Sequence, residues 1–287
     1  MLSRRLTLPL ASLSLLTLSA CAAENTENAD DSGATSIVAS TSVWGSLASS
    51  VTEGTGTEVT SIITGNVTDP HHFSPSAADL ARAHNATFTV VGGGGYDAWL
   101  YEGLDDAQVI HALPLTAHSH DHGEEHGGEE IENEHIWFDV DSLSKVAQEI
   151  AERVDGANAA PIQSELAELK KRLEALPNAR VAQTEPIADY LIEDSPLQEV
   201  TPEGYRHATL AESEPSAADL AAFLDLINEG GIDALVYNPQ TATDMTKRIR
   251  QAAEDKGIII VEVSETPAEN QDTLDFLTQA VNNFELI

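Results

Sequence analysis

Short β-branched runs alternate with amphipathic helical segments along most of this chain, and that alternation constrains its fold more than any other feature. SIVAS (36–40) precedes VWGSLASSVTE, TEVTSIIT (57–64) leads into a loop, and AADLARAH precedes ATFTVV (86–91). The pattern returns after residue 178 as ARVAQ, PIADYLIE, ALVYN (234–238), TDMTKRIRQAAEDK and GIIIVEV (257–263). Strands separated by helices pair through crossovers rather than hairpins and build parallel sheets. The series predict an α/β chain of two similar lobes, residues 36–157 and 179–287, each a mostly parallel sheet flanked by helices.

Between them, PIQSELAELKKRLEALP predicts a linking helix within 158–178. Pro161 suits a first helical turn, and Pro177 and Asn178 stop the helix. Ile162, Leu166, Leu169, Leu173 and Leu176 recur at spacings of four and three. At 1.5 Å per residue this makes a strut of roughly 24 Å. A helix packed within one lobe fits the same periodicity.

Residues 1–20 read as an export signal. Arg4 and Arg5 precede LTLPLASLSLLTLSA, too short to span a bilayer, and Leu18-Ser19-Ala20-Cys21 resembles a bacterial lipobox, whose cysteine is lipidated and becomes the new N-terminus. Cys21 is the sole cysteine, so no intrachain disulfide is possible. Residues 21–35 read as a polar tether, and the expected location is extracytoplasmic, lipid-anchored to the cell membrane. With 48 acidic against 14 basic residues the net charge is −34. Such a chain repels nucleic acid and anionic lipid and draws cations.

Ligands of parallel α/β sheets bind beyond the carboxyl ends of the strands. There the sequence offers His71 and His72 in GNVTDPHHFSP, His135 in ENEHIWFDV, Glu185 in QTEP, and Glu265 in VSETP. Pro186 in a first helical position would leave Glu185 at the N-cap, facing the mouth of the sheet. Four histidines, His118, His120, His122 and His126, crowd HSHDHGEEHGGEE within a His- and acid-rich loop, 117–134.

As a set, these segments resemble the zinc/manganese solute-binding lipoproteins of bacterial ABC importers (the cluster A-I metal-binding receptors). DPHHFSPSAADL resembles that family's Asp-Pro-His loop, EHIWFD its His-x-Trp-x-Asp segment, TEPIADYL the place of a third ligand and VSETP that of a fourth, an order covering nearly all of residues 36–287. The resemblance implies His71, His135, Glu185 and Glu265 as ligands of one divalent ion held between the lobes. Asp139 is expected either to orient an imidazole from behind or to cap the helix that follows. Three departures stand out: Asn133-Glu134 replaces the usual Asp-Pro before His135, the linking helix is shorter than the family's long backbone helix, and Glu185 stands where zinc receptors place a third histidine. Two imidazoles and two carboxylates resemble the manganese-type set, whereas the histidine cluster, in the place of the zinc receptors' His-rich insertion, argues for weak capture of zinc.

The expected function is therefore metal capture and delivery to an ABC permease and ATPase, by a monomer without catalytic residues. Zinc is favoured over manganese; a surface metal buffer or an anchored metallohydrolase are the rival readings. GGGG (92–95) lacks the rest of a P-loop or dinucleotide fingerprint and reads as a strand-to-helix turn, and no HExxH occurs. His207 reads as a surface residue, and His84 and His111 as ordinary positions near strand ends.

Overall fold

The computed structural model describes residues 35–65, 73–115 and 133–287. Cys21, His71, His72, His118, His120, His122 and His126 lie outside them. The first sheet belongs to β1 (Ser36–Thr41), α1 (Ser42–Val51), β2 (Glu58–Ile63), α2 (Ala77–Asn85), β3 (Phe88–Val91), the one-turn α3 (Ala98–Tyr101) and β4 (Val109–His111). Then come α4 (Val140–Arg153) and α5 (Ala160–Glu174). The second half runs β5 (Arg180–Gln183), α6 (Asp189–Glu193), β6 (Gln198–Glu199), α7 (Glu203–Leu210), α8 (Ala217–Asn228), β7 (Ala234–Tyr237), α9 (Asp244–Asp255), β8 (Ile259–Glu262) and α10 (Thr273–Phe284).

Each half holds a four-stranded, wholly parallel sheet, ordered β2-β1-β3-β4 in the first and β6-β5-β7-β8 in the second. The two sheets repeat one topology. In each, strand order reverses beside the first strand, which opens a crevice where the following loops diverge. The central strands are buried on both faces, so β3 (FTVV) and β7 (ALVY) read as unbroken apolar runs rather than alternating ones.

Local chemistry sets the helix starts. Ser76 with Asp79, Ser216 with Asp219 and Thr243 with Thr246 form reciprocal capping boxes at α2, α8 and α9. Pro161 lies in the first turn of α5, whose buried face is Ile162, Leu166, Leu169 and Leu173. The helix stops at Glu174, three residues short of Pro177.

This linking helix packs against α4 on one side and α10 on the other, while α10 also packs on α1. One continuous apolar core therefore runs from Ile37 to Phe284. Phe138 meets Phe276 with ring centroids 5.4 Å apart, and Thr273 donates to the carbonyl of Val43 at 2.5 Å. No helix among the described residues is long and apolar enough to cross a membrane.

Candidate metal centre

The loops leaving the carboxyl ends of the strands converge on one buried cleft. Glu185 follows β5 by two residues and takes an extended backbone (φ −156°, ψ 159°) ahead of the short turn Pro186–Ala188. Proline at the head of that turn starts it without help from the Glu185 side chain, which makes no capping bond and is free to face the cleft. Asn238 follows β7 directly, and Glu265 follows β8 by three residues. His135 enters from the first half, immediately before the turn Ile136–Phe138.

His135, Glu185 and Glu265 each offer a donor atom, and these atoms all lie within 4.8 Å of one another. His135 and Glu265 are buried, at 7% and 0% exposure, and Glu185 is half-buried at the rim. His135 Nε2 stands 3.2 Å from Glu265 Oε1. That separation is close to the edge of a tetrahedron with metal–ligand bonds of about 2.0–2.1 Å, which is about 3.3–3.4 Å.

Neutral donors hold the carboxylates. Tyr96 donates to Glu265 Oε2 at 3.2 Å, Thr241 to Glu185 Oε2 at 2.6 Å, and the Asn238 amide bridges Glu185 Oε1 and, at 3.3 Å, Glu265 Oε1. Burial, and next the charge of Glu265, push the Glu185 carboxyl above the ordinary carboxylate range; His135 and the bonds from Thr241 and Asn238 pull the other way. Two carboxylates and an imidazole gathered out of water need a cation among them, either protons or a metal ion.

The ring of His135 is fixed from behind. Its Nδ1 lies 2.8 Å from Asn133 Oδ1, which also accepts from the His135 backbone N–H at 3.0 Å. Trp137 packs edge-on against the imidazole at 5.3 Å. Asp139 does not share in this: its carboxylate accepts from the Asp141 N–H and the Ser142 hydroxyl and caps α4. Of its two expected roles the cap is the one observed, and Asn133 is the group behind the imidazole. Two acids near Glu265 in sequence, Glu262 and Asp272, point elsewhere: Glu262 pairs with Arg250 at 2.5 Å and Asp272 caps α10.

Sequence reasoning missed Asn133, Tyr96, Asn238 and Thr241. Tyr96, Asn238 and Thr241 share a signal of position, since GGGGY and YNPQT both leave a central strand at its carboxyl end; Asn133 is marked only by its place two residues before His135. The glycine stretch is a tight turn, in which the N–H groups of Gly92 and Gly93 donate to the buried Asp97 at 2.7 and 3.0 Å. Of the remaining histidines, His84 and His207 are exposed on α2 and α7, and His111 ends β4 with Nδ1 2.8 Å from the Leu113 carbonyl.

The ZnuA family, described as the periplasmic component A of a zinc-uptake complex, matches residues 37–286. The chain belongs to this family. Solved structures agree on the fold at low identity. The periplasmic zinc-binding protein TroA from Treponema pallidum superposes with a TM-score of 0.67 at 16% identity, over 88% of this chain and 99% of that one. The laminin-binding protein Lmb of Streptococcus agalactiae, described as an adhesin with metal-transporting activity, gives 0.65 at 19%, over 88% and 97%. The binding protein FpvC from Pseudomonas aeruginosa, solved with Mn2+, gives 0.61 at 17%, over 88% and 96%. A sequence comparison with curated proteins finds no match. The parallel two-lobe architecture is that of the ZnuA family's relatives, and the cleft of His135, Glu185 and Glu265 lies at the strand ends of both halves.

Proposed function

We propose that this chain is the extracytoplasmic receptor of an ABC importer, anchored through a lipid on Cys21, that captures one divalent transition-metal ion and passes it to a membrane permease driven by an ATPase. The ion is cargo, not a resident cofactor. The observation that carries the reading is the convergence of His135, Glu185 and Glu265 from two lobes, with donor atoms within 4.8 Å, in a buried cleft. Membership of a zinc-uptake family supports it. His71, which lies outside the described residues, is the fourth ligand in this proposal.

Two imidazoles and two carboxylates balance the charge of a divalent ion and, with four protein donors, leave it no open position for catalysis. We favour zinc, since borderline-soft zinc suits imidazole and the stretch 118–130 carries four more of them; the paired carboxylates keep manganese as the alternative. Metal content by mass spectrometry on residues 34–287, equilibrated with equal free zinc and manganese and then desalted, tests this. About one zinc per chain, lost in Glu185→Ala and kept when 118–130 is deleted, is the expected result. Retained manganese would reassign the cargo, and metal that leaves with the deleted stretch would remove the site from the cleft.

A further inference from the structure

A chain of polar groups runs from the imidazole of His135 through Asn133 into the second lobe. Asn133 gives both amide hydrogens to that lobe: its Nδ2 lies 2.6 Å from the Pro186 carbonyl and 2.8 Å from Asp189 Oδ2. Asp189 is buried at 7% exposure and is itself held by four donors. Gln183 Nε2 donates to it at 2.6 Å, and the Arg206 guanidinium grips it with two bonds of 2.9 and 2.8 Å. Tyr190 secures the backbone by donating to the Asn133 carbonyl at 2.7 Å.

This wiring leaves the Asn133 amide one orientation. Turned over, it would set its oxygen against a carbonyl and a carboxylate, and its NH2 against the His135 backbone N–H. Its oxygen therefore faces His135 Nδ1, which must carry a proton to donate to it. In the neutral ring that choice leaves Nε2 as a bare lone pair aimed at the cleft. The competing tautomer would put the proton on Nε2 and donate it to Glu265 Oε1, 3.2 Å away, closing the ring to a metal.

We infer that Asp189 and Arg206 are positioning residues for metal capture: through Asn133 they hold His135 in the Nδ1-protonated tautomer, so that the second lobe sets the readiness of a ligand supplied by the first. The negative charge of Asp189 behind the amide polarises it and strengthens Oδ1 as an acceptor. Partners of this kind behind a metal-bound histidine control about 10–100-fold in affinity. The inference rests on the reading of His135 as a metal ligand, and its test has one arm that needs no metal.

In the full chain labelled with 15N-histidine and stripped with a chelator, long-range 1H–15N spectra report which ring nitrogen holds the proton, at a pH where the ring is neutral. The expected wild-type signature for His135 is a protonated Nδ1 and a bare Nε2. Asp189→Asn should move the proton towards Nε2 and raise the zinc dissociation constant about 10–100-fold, Arg206→Ala should act in the same direction, and Arg206→Lys, which keeps the cation but not the two-bond grip, should stay nearer the wild type. If Asp189→Asn does not fold, Asn133→Leu at a half-buried position carries the same two readouts. A wild-type ring protonated on Nε2, or variants with unchanged tautomer and affinity, would overturn the inference. The expected tautomer shift in a chain that binds no zinc would uphold the brace and overturn the ligand assignment instead.

Discussion

Replacing Glu185 by glutamine should stabilise the metal-free protein and weaken its metal complex, two effects of opposite sign from one atom. The donor atoms of the cleft lie within 4.8 Å of one another, and two unit charges at that distance repel by about 3.5 kcal/mol at an effective dielectric constant near 20. Burial and the Glu265 charge raise the Glu185 pKa, so this repulsion applies in full only where both carboxyls are ionised. The amide keeps one acceptor oxygen where the carboxylate had two: the bond from Asn238 weakens by about 1 kcal/mol with a neutral acceptor, and the Thr241 hydroxyl must turn to accept from the new NH2, at a similar cost. About 1–2 kcal/mol of net stabilisation should remain, raising the melting temperature by about 2–8 °C. Calorimetry in excess chelator reads this directly. Chelator competition should show zinc affinity down by more than about 100-fold, beyond what supporting residues alone control. A Glu185→Gln protein that melts lower without metal, or that keeps wild-type affinity, would refute the argument that the cleft stores carboxylate repulsion for a cation to relieve.

Other consequences are open to measurement. Metal binding should expel a proton from the cleft at mildly acid pH, because the Glu185 carboxyl is held above its ordinary range; affinity falls as pH falls, and calorimetry in buffers of different ionisation enthalpy counts the proton. Burial lifts Asp97 to about 6 from an ordinary 3.8, so the folded state binds more protons between those values and stability rises as pH drops from 7 towards 4. That contribution is about 3 kcal/mol at most, and the Asp97→Asn protein should lack it when the two are unfolded in urea across the range. Gly93→Ala should cost several kcal/mol, since φ is +87° there and a methyl group would lie 2.2 Å from the Leu113 carbonyl oxygen. Along α5, Leu173→Ala at 0% exposure should cost about 2–5 kcal/mol, whereas Arg172→Ala, which loses a partly exposed pair with Glu285, should cost less than about 1 kcal/mol by the same urea titration.

Much of this architecture was legible because it is local. The apolar runs at β3 and β7, the serine and threonine caps and the Thr-Glu-Pro turn each depend on a few neighbouring residues, and the parallel sheets follow from their order. The surroundings of the cleft were hidden because they are long-range. Tyr96 meets Glu265 across 169 positions and Asn133 meets Asp189 across 56, and no periodicity carries such pairs. Asn133 in particular looked like a departure from a family motif, and its meaning came only from the carbonyl and carboxylate that fix its amide. Asp139 shows the converse: an acid directly before a helical run was as good a cap as an imidazole partner, and local geometry gave it the cap.

X-ray absorption at the zinc edge, with an anomalous difference map from crystals of the same zinc-loaded chain, would show directly whether His135, Glu185 and Glu265 hold the ion. One zinc should be bonded by two imidazole nitrogens and two carboxylate oxygens at about 2.0–2.2 Å, with the map peak between His135, Glu185 and Glu265 and the second imidazole from His71. A zinc shell made only of imidazoles, or a peak away from these three residues, would contradict that arrangement.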